Sequence, residues 1–354
     1  MLTTRPLYVN NSLSTGICNY NCILCGINKP NYNGPKKFQD EETTNLLISR
    51  ILQAAAKGVK FRLIANSGSG EPTLHPHFDE KMNEFGNMLE NWPSNNELTP
   101  EISIETNGSR LLETRIVEAL INNPITVNVS FPTSDVKRYS KVMFGENNKN
   151  SIFFEKVVKG IRELLNLYSE GKINKVCFHI SPPLADMTNF ELSNTLSFLC
   201  EIASKSNVSS INVIMFPIIS NRSGLIDCKL NQNDSYENFI SEFDGKIYSG
   251  VKVRIENVWN RFFKEKKEIE EMINVFKHPC IWNSNIFLTA YGDSVCCNDQ
   301  EITCNLGNIN SDDFETLMLK KENSVVSEVC KSCNQRYAQN ISVDELISEF
   351  KLKF

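Results

Sequence analysis

The chain has 354 residues, 41% hydrophobic and 22% charged, with a formal net charge of -5, which suits one large core and a smaller appended one rather than three full domains. A pI near 5.6 and the lack of any Lys/Arg block leave no electrostatic footprint for a nucleic-acid backbone, so small molecules or peptides are the expected partners. The start MLTTRPLYVNNSL has no basic-then-apolar signal pattern, and the longest apolar run, around INVIMFPII, is too short to span a bilayer, so a cytoplasmic protein without membrane association is expected.

From residue 6 to about 218, short β-rich runs alternate with amphipathic helical stretches. Strands are predicted at LYVNNS (7–12), KFRLIAN (60–66), EISIE (101–105), ITVNVS (125–130), NKVCFHIS (174–181) and SINVIMF (210–216). The clearest helix pattern between them is SIFFEKVVKGIRELLNLY, where Phe154, Val157, Val158, Ile161 and Leu165 recur on one face. Six β-α units imply an α/β fold with a parallel sheet and right-handed crossovers. Six strands fall short of the eight of a closed barrel, so a curved, partly open barrel is expected.

Three strands alternate in a telling way. Ile102 and Ile104 alternate with Ser103 and Glu105, Val127 and Val129 with Asn128 and Ser130, and Val176, Phe178 and Ile180 with Cys177, His179 and Ser181. Parallel strands covered by helices on both sides are apolar throughout, so a shared polar face is expected to line a cavity. Residues 1–220 are thus read as the barrel and 221–275 as a polar, then charged and helical, bridge. A second domain follows over 276–340, with a hairpin signal at NIFLTAYGDSVCC, and 341–354 form a helix or tail.

Twelve cysteines in a cytosolic chain of this size argue for metal or redox chemistry rather than disulfides. Cys18, Cys22 and Cys25 fall together directly after the first strand, at the edge where parallel α/β folds place their active sites. Structural zinc is closed by four ligands, but no fourth Cys or His stands nearby, the first histidine being His75. Three thiolates on an iron-sulfur cubane leave one iron open and reactive.

These residues and those that follow resemble the radical S-adenosylmethionine (SAM) superfamily over most of the chain. Its members place C-x3-C-x2-C after the first strand of a partial (β/α)6 barrel, and the open iron chelates the amino and carboxylate groups of SAM. By this resemblance Cys18, Cys22 and Cys25 are cluster ligands, with Leu24 in the place of the usual adenine-packing aromatic and Gly26 beside it. NSGSGEPTLHP matches the family's glycine-glycine-glutamate turn with Ser69 for one glycine, Gly70 for the other and Glu71 as a partner for the SAM ammonium. The third strand runs into Thr106-Asn107-Gly108, a frequent family ending. Ser130 corresponds to a polar residue on the ribose or carboxylate of SAM, and Lys141 is a candidate for neutralising that carboxylate.

The C-terminal pattern of Cys280, Gly292, Cys296-Cys297, LGNI (306–309) and Cys330-Lys-Ser-Cys333 is similar to the SPASM auxiliary-cluster domain in its shortened twitch form. The resemblance implies one further 4Fe-4S cluster with either Cys296 or Cys297 as its second ligand, while Cys304 is expected to be a small buried residue. Zinc also suits such a set of four thiolates, so residue types alone leave both metals open.

Family chemistry implies an oxidoreductase-type enzyme. An electron from a donor such as flavodoxin or ferredoxin splits SAM, and the 5'-deoxyadenosyl radical takes hydrogen from the substrate. Glu105 and His179, on the polar face, are candidate bases for an oxidation. Cys177 and Cys228 are candidate hydrogen donors for an epimerisation. SPASM and twitch relatives most often modify ribosomally made peptides by cross-link, oxidation or epimerisation, and a minority oxidise sugars or aminocyclitols. Strand one begins by residue 7, which leaves no room for an N-terminal peptide-recognition domain and counts against the peptide reading, but such a domain can be a separate protein. A zinc protein without enzymatic activity is the remaining reading.

Overall fold

The computed structural model describes residues 6–23, 25, 27, 34, 36–67, 70–145, 151–180, 189–215, 236–257, 266, 270, 285–295 and 305–324. Strand β1 (Leu7–Asn11) leads through the short pair β2 (Ser14–Thr15) and β3 (Lys37–Phe38) to helix α1 (Glu41–Ala56). Then follow β4 (Phe61–Asn66), a 3-10 turn (Pro72–Leu74), α2 (Phe78–Glu90), β5 (Glu101–Thr106), α3 (Thr114–Ile121) and β6 (Ile125–Ser130). Next come α4 (Val136–Phe144), α5 (Ser151–Ser169), β7 (Lys175–Ile180), α6 (Asn189–Lys205) and β8 (Ser210–Met215). The remaining elements are α7 (Tyr236–Phe243), β9 (Ile247–Tyr248), β10 (Val251–Asn257), β11 (Asn285–Leu288), β12 (Asp293–Val295), β13 (Asn305–Asn308) and α8 (Phe314–Glu322).

One eleven-stranded sheet runs in the order β13-β12-β11-β1-β4-β5-β6-β7-β8-β10-β9. All six predicted strands are present and lie side by side in parallel, in chain order, as β1, β4, β5, β6, β7 and β8. Two further strands extend the parallel run, β10 beside β8 and β11 beside β1. Among the described residues β13 and β9 do not pair, so the sheet is open.

β10 comes from a stretch whose composition hid it, whereas β11 belongs to the hairpin that the sequence signalled. In β10 the apolar Val251, Val253 and Ile255 alternate with Lys252, Arg254 and Glu256, and those charges mask the period of two. The hairpin at NIFLTAYGDSV forms as β11 and β12, and LGNI contributes to a third antiparallel strand, β13. Its placement is tertiary. β11 lies on β1, the Ala290 amide donates to Thr15 Oγ1 (2.8 Å), and Phe314 of α8 packs edge-on to Phe61 of β4 at 5.5 Å.

The helix-facing side of the sheet carries the core. Ile102, Ile104, Val127, Val129, Val176, Phe178 and Ile180 are buried together with Phe78, Phe85, Ile116, Leu120, Val157, Ile161, Leu196 and Leu199. Each such side chain contributes about 1.5–3 kcal/mol on burial. Helices start on their own signals: Asp40 accepts from the Thr43 amide at α1, and Asp135 and Asp313 cap α4 and α8 in the same way.

The opposite face is polar, as the alternation predicts. In register across the sheet, Glu105 is opposite Asn128, Asn128 opposite Cys177, and Ser130 opposite His179. Ser103, Thr126, Asn128 and Cys177 are at most 1% exposed, and the hydroxyls of Ser103 and Thr126 and both polar atoms of Asn128 lack a hydrogen-bond partner. No helix among the described residues is long and apolar enough to cross a membrane.

A buried polar network ties the carboxyl ends of β1 and β4 to the entry of α1. Asn11 and Gln39 exchange side-chain hydrogen bonds (3.1 and 2.8 Å), Asn11 donates to Asn66 Oδ1 (2.9 Å), and His75 Nε2 donates to the Gln39 carbonyl (2.7 Å). The His77 amide donates to His75 Nδ1 (3.1 Å), so the proton resides on Nε2 and the ring is neutral. Burial holds the His75 pKa below its ordinary value of 6.5.

Two outcomes are expected. Phe314→Ala leaves a cavity against Phe61 and lowers stability by about 3–5 kcal/mol, read by thermal unfolding. His75 titrates lower in the folded chain than in the unfolded one, so stability falls as pH drops through 6.5. A His75→Gln variant flattens that part of a melting-temperature profile against pH.

Candidate active site at the carboxyl ends of the strands

The loop after β1 is held from two sides by contacts that do not involve its cysteine side chains alone. On one side, the Ser67 amide donates to the Asn11 carbonyl (2.9 Å) and the Glu71 amide to the Ile17 carbonyl (2.8 Å). A Cβ at Gly70 would lie 2.3 Å from the Ser14 carbonyl oxygen and 2.6 Å from that of Ile17. The glycine is therefore required for the turn after β4 to touch the cysteine loop. That contact is within the chain.

On the other side, the last turn of α4 holds the cysteine stretch. Asn21 and Ile23 donate their amides to the carbonyls of Met143 (3.0 Å) and Val142 (2.9 Å), and Cys22 Sγ contacts Met143 Sδ at 3.8 Å. Tyr20, 2% exposed, is wedged between Phe144 (4.4 Å) and Phe153 (6.1 Å). The Cys25 amide donates to the Cys22 carbonyl (3.0 Å), closing a turn from the second cysteine to the third.

Glu71 organises the far wall. Its Oε1 accepts from the Thr73 amide (3.1 Å), the Thr73 hydroxyl (2.5 Å) and the Thr106 hydroxyl (2.8 Å), and Oε2 accepts from the Asn107 amide (2.7 Å). Burial raises its pKa against these bonds, which lower it. Thr106 Oγ1 also accepts from the Gly108 amide (3.1 Å), and Gly108 has φ +78°, which glycine adopts without strain.

The TNG turn then reaches the first cysteine. Asn107 Nδ2 lies 3.7 Å from Cys18 Sγ and donates to Asn19 Oδ1 (2.9 Å), Asn19 donates to Ser109 Oγ (2.9 Å), and the Ser109 amide returns to Asn107 Oδ1 (2.9 Å). The Tyr20 amide adds a contact to Cys18 Sγ at 3.4 Å. Burial pushes the Cys18 thiol up to about 11, and the Cys22 thiol well above its ordinary value. Bare, both are protonated at neutral pH, and a bound cation is what makes them thiolates.

A model of the radical SAM superfamily matches residues 12–190, just over half of the chain. The chain belongs to the radical SAM superfamily. Members bind a 4Fe-4S cluster and SAM and act on a substrate with electrons from a donor. Two UPF0026 proteins of Helicobacter pylori are similar, that of strain J99 at 24% identity over 210 residues and that of strain 26695 at 26% over 173. These matches cover 59% and 49% of this chain, and the chain spans 61% and 51% of those relatives, less than two-thirds of either.

Among solved structures, native anSMEcpe with bound AdoMet aligns with a TM-score of 0.60 and 16% identity over 93% of this chain and 87% of that one. The same protein with AdoMet and the Kp18Cys peptide aligns at 0.58 and 15%, covering 93% and 86%. Streptococcus suis SuiB bound to S-adenosylmethionine aligns at 0.54 and 14%, covering 93% and 69%. At these identities the likeness is one of fold.

In its chemistry the donor set matches the cluster of this family: the loop carries three thiols, Cys18, Cys22 and Cys25, the number that a 4Fe-4S cluster with one open iron takes. Among the described residues no three Cys, His, Asp or Glu side chains are grouped as a site for a single metal ion.

Of the other candidate residues, Ser130 is half-buried at the end of β6, and Lys141 is exposed on α4, immediately before Val142 and Met143, which contact the cysteine stretch. His179 Nδ1 is 4.0 Å from Glu105 Oε2, both partly exposed, while Cys177 is fully buried one row below. Leu24, Gly26, Ser69, Cys228, Cys280, Cys296, Cys297, Cys304, Cys330 and Cys333 lie outside the described residues.

Sequence reasoning missed Asn19, Thr73, Ser109 and Met143. Asn19 and Asn107 are 88 positions apart, and no local spacing encodes such a contact. Gly70→Ala drives a Cβ into backbone, so it lowers stability by about 1–3 kcal/mol and reduces the iron retained after anaerobic reconstitution.

Proposed function

We propose that Cys18, Cys22 and Cys25 hold a 4Fe-4S cluster through three of its irons, and that the enzyme modifies a ribosomally made peptide by cross-link, oxidation or epimerisation. The observation that carries this reading is the hydrogen-bonded unit of the cysteine loop, Glu71 and Asn107, at the carboxyl ends of three adjacent parallel strands. When bound, the cluster supplies the electron that splits SAM into methionine and a 5'-deoxyadenosyl radical.

The protein's own part is placement. Glu71 Oε2, with one hydrogen bond from Asn107, keeps a lone pair for the SAM ammonium, and Gly70 and Ser69 are the small residues that stand for the family's glycine pair. Leu24 takes the place of the aromatic that packs on the adenine, Gly26 is a further cofactor-binding residue, Ser130 serves the ribose or carboxylate, and Lys141 the carboxylate. Glu105 and His179 face the same polar side and take the proton lost in an oxidation. Cys177 or Cys228 is the hydrogen donor where the outcome is epimerisation. Cys280, Cys296 or Cys297, Cys330 and Cys333 form the auxiliary cluster of a twitch domain, with all-protein ligation and a role as electron relay or acceptor.

A peptide is favoured over a sugar or aminocyclitol because anSMEcpe, similar in fold, is solved with a peptide. The test is anaerobic reconstitution with iron and sulfide, followed by SAM and dithionite, in wild type and in a Cys18→Ala/Cys22→Ala/Cys25→Ala variant. About eight irons are expected for two 4Fe-4S clusters, with 5'-deoxyadenosine formed by wild type and absent in the variant. About four irons would remove the auxiliary cluster, and zinc without SAM cleavage would sink the enzyme reading.

A further inference from the structure

A separate cleft lies at the opposite end of the parallel strands from the cysteine loop. It has a volume of about 500 Å³ and lies at the amino ends of β5, β6 and β7 and beside β8, lined by Glu101, Thr126, Lys175, Asn212, Leu89 and Tyr168, among others. Thr126 stands four residues before Ser130 on β6, a separation of about 13 Å along the strand. Between the two ends the polar face is closed, since Asn128 and Cys177 are at most 1% exposed.

The cleft carries both signs of charge, and neither is used. Glu101 Oε1 is buried without a hydrogen-bond partner, and Lys175 forms no ion pair among the described residues. Thr126 is 1% exposed and its hydroxyl has no partner. Asn212 spends only its Nδ2 on the Val176 carbonyl (3.4 Å), which leaves its oxygen to accept. Thr126 and Lys175 are register partners on neighbouring strands, so their side chains leave the same face of the sheet beside each other. Glu101 lies on β5, across β6 from Lys175, with about 10 Å between the backbones of β5 and β7. Opposite charges held apart by a cleft, with a buried orphan hydroxyl beside one of them, suit a ligand that carries the complementary pair.

We propose that this cleft binds a small zwitterion of the α-amino-acid class with an apolar side chain. Its carboxylate meets the Lys175 ammonium and the Thr126 hydroxyl, its ammonium meets Glu101 and the Asn212 oxygen, and its side chain lies on Leu89 and Tyr168. A simple anion would face the Glu101 carboxylate, and a simple cation the Lys175 ammonium. The proposal is independent of the cluster and of SAM.

Isothermal titration of the full chain with L-leucine and L-phenylalanine tests it, with L-leucinamide and N-acetyl-L-leucine as probes that each lack one charge. Binding of at least one amino acid is expected, weakened about tenfold or more by Lys175→Met and by Glu101→Gln. Both derivatives of leucine should bind more weakly than leucine by a similar factor. Melting temperatures of the two variants close to wild type check that the fold is intact. No heat with either amino acid, derivatives that bind as tightly as leucine, or folded variants that bind as wild type would each overturn the proposal.

Discussion

A single buried carboxylate joins the parts of this molecule that chemistry requires. Glu71 accepts hydrogen bonds from Thr73, Thr106 and Asn107, while its own amide is bonded to the Ile17 carbonyl. Through these bonds the ends of β4 and β5 and the loop after β1 become one unit. Removing such a charge from water is costly, and the bonds it accepts are what make the position tolerable. Asn107 then passes the constraint to Cys18, so the cysteine loop is positioned by residues distant in sequence rather than by its own backbone alone.

The sheet has two faces with different tasks. On the helix side, close-packed Ile, Val and Phe side chains supply stability and fix the register of the strands. On the other side, Ser103, Thr126 and Asn128 are buried without partners, a condition that proteins rarely leave unfilled by water or ligand. The same register that buries Val127 and Phe178 thus presents Asn128 and Cys177 in one row and Ser130 and His179 in the next. Stability and site are two consequences of one alternation.

Charge follows the same division. At the carboxyl ends of the strands, buried thiols and a buried carboxylate create a place that is unfavourable for protons to leave until a cation arrives. At the amino ends, Glu101 and Lys175 remain apart and unneutralised. The parallel strands hold these two environments at a constant separation, since every strand of the run points the same way.

The sequence by itself determined the six central strands, their parallel order, the polar face and the cysteine motif with its glycine and glutamate turn. These are local signals: a period of two, a spacing of cysteines, small residues after a strand. Tertiary structure alone decided that β10 and β11 extend the sheet, because charged residues hide the period of one and the other is a four-residue strand defined by its neighbour β1. It also decided the partners of Asn19, Met143 and Ser109, and the role of Gly70 as a contact between two loops. Such contacts join positions tens of residues apart, and a chain encodes them only through the packing of everything between.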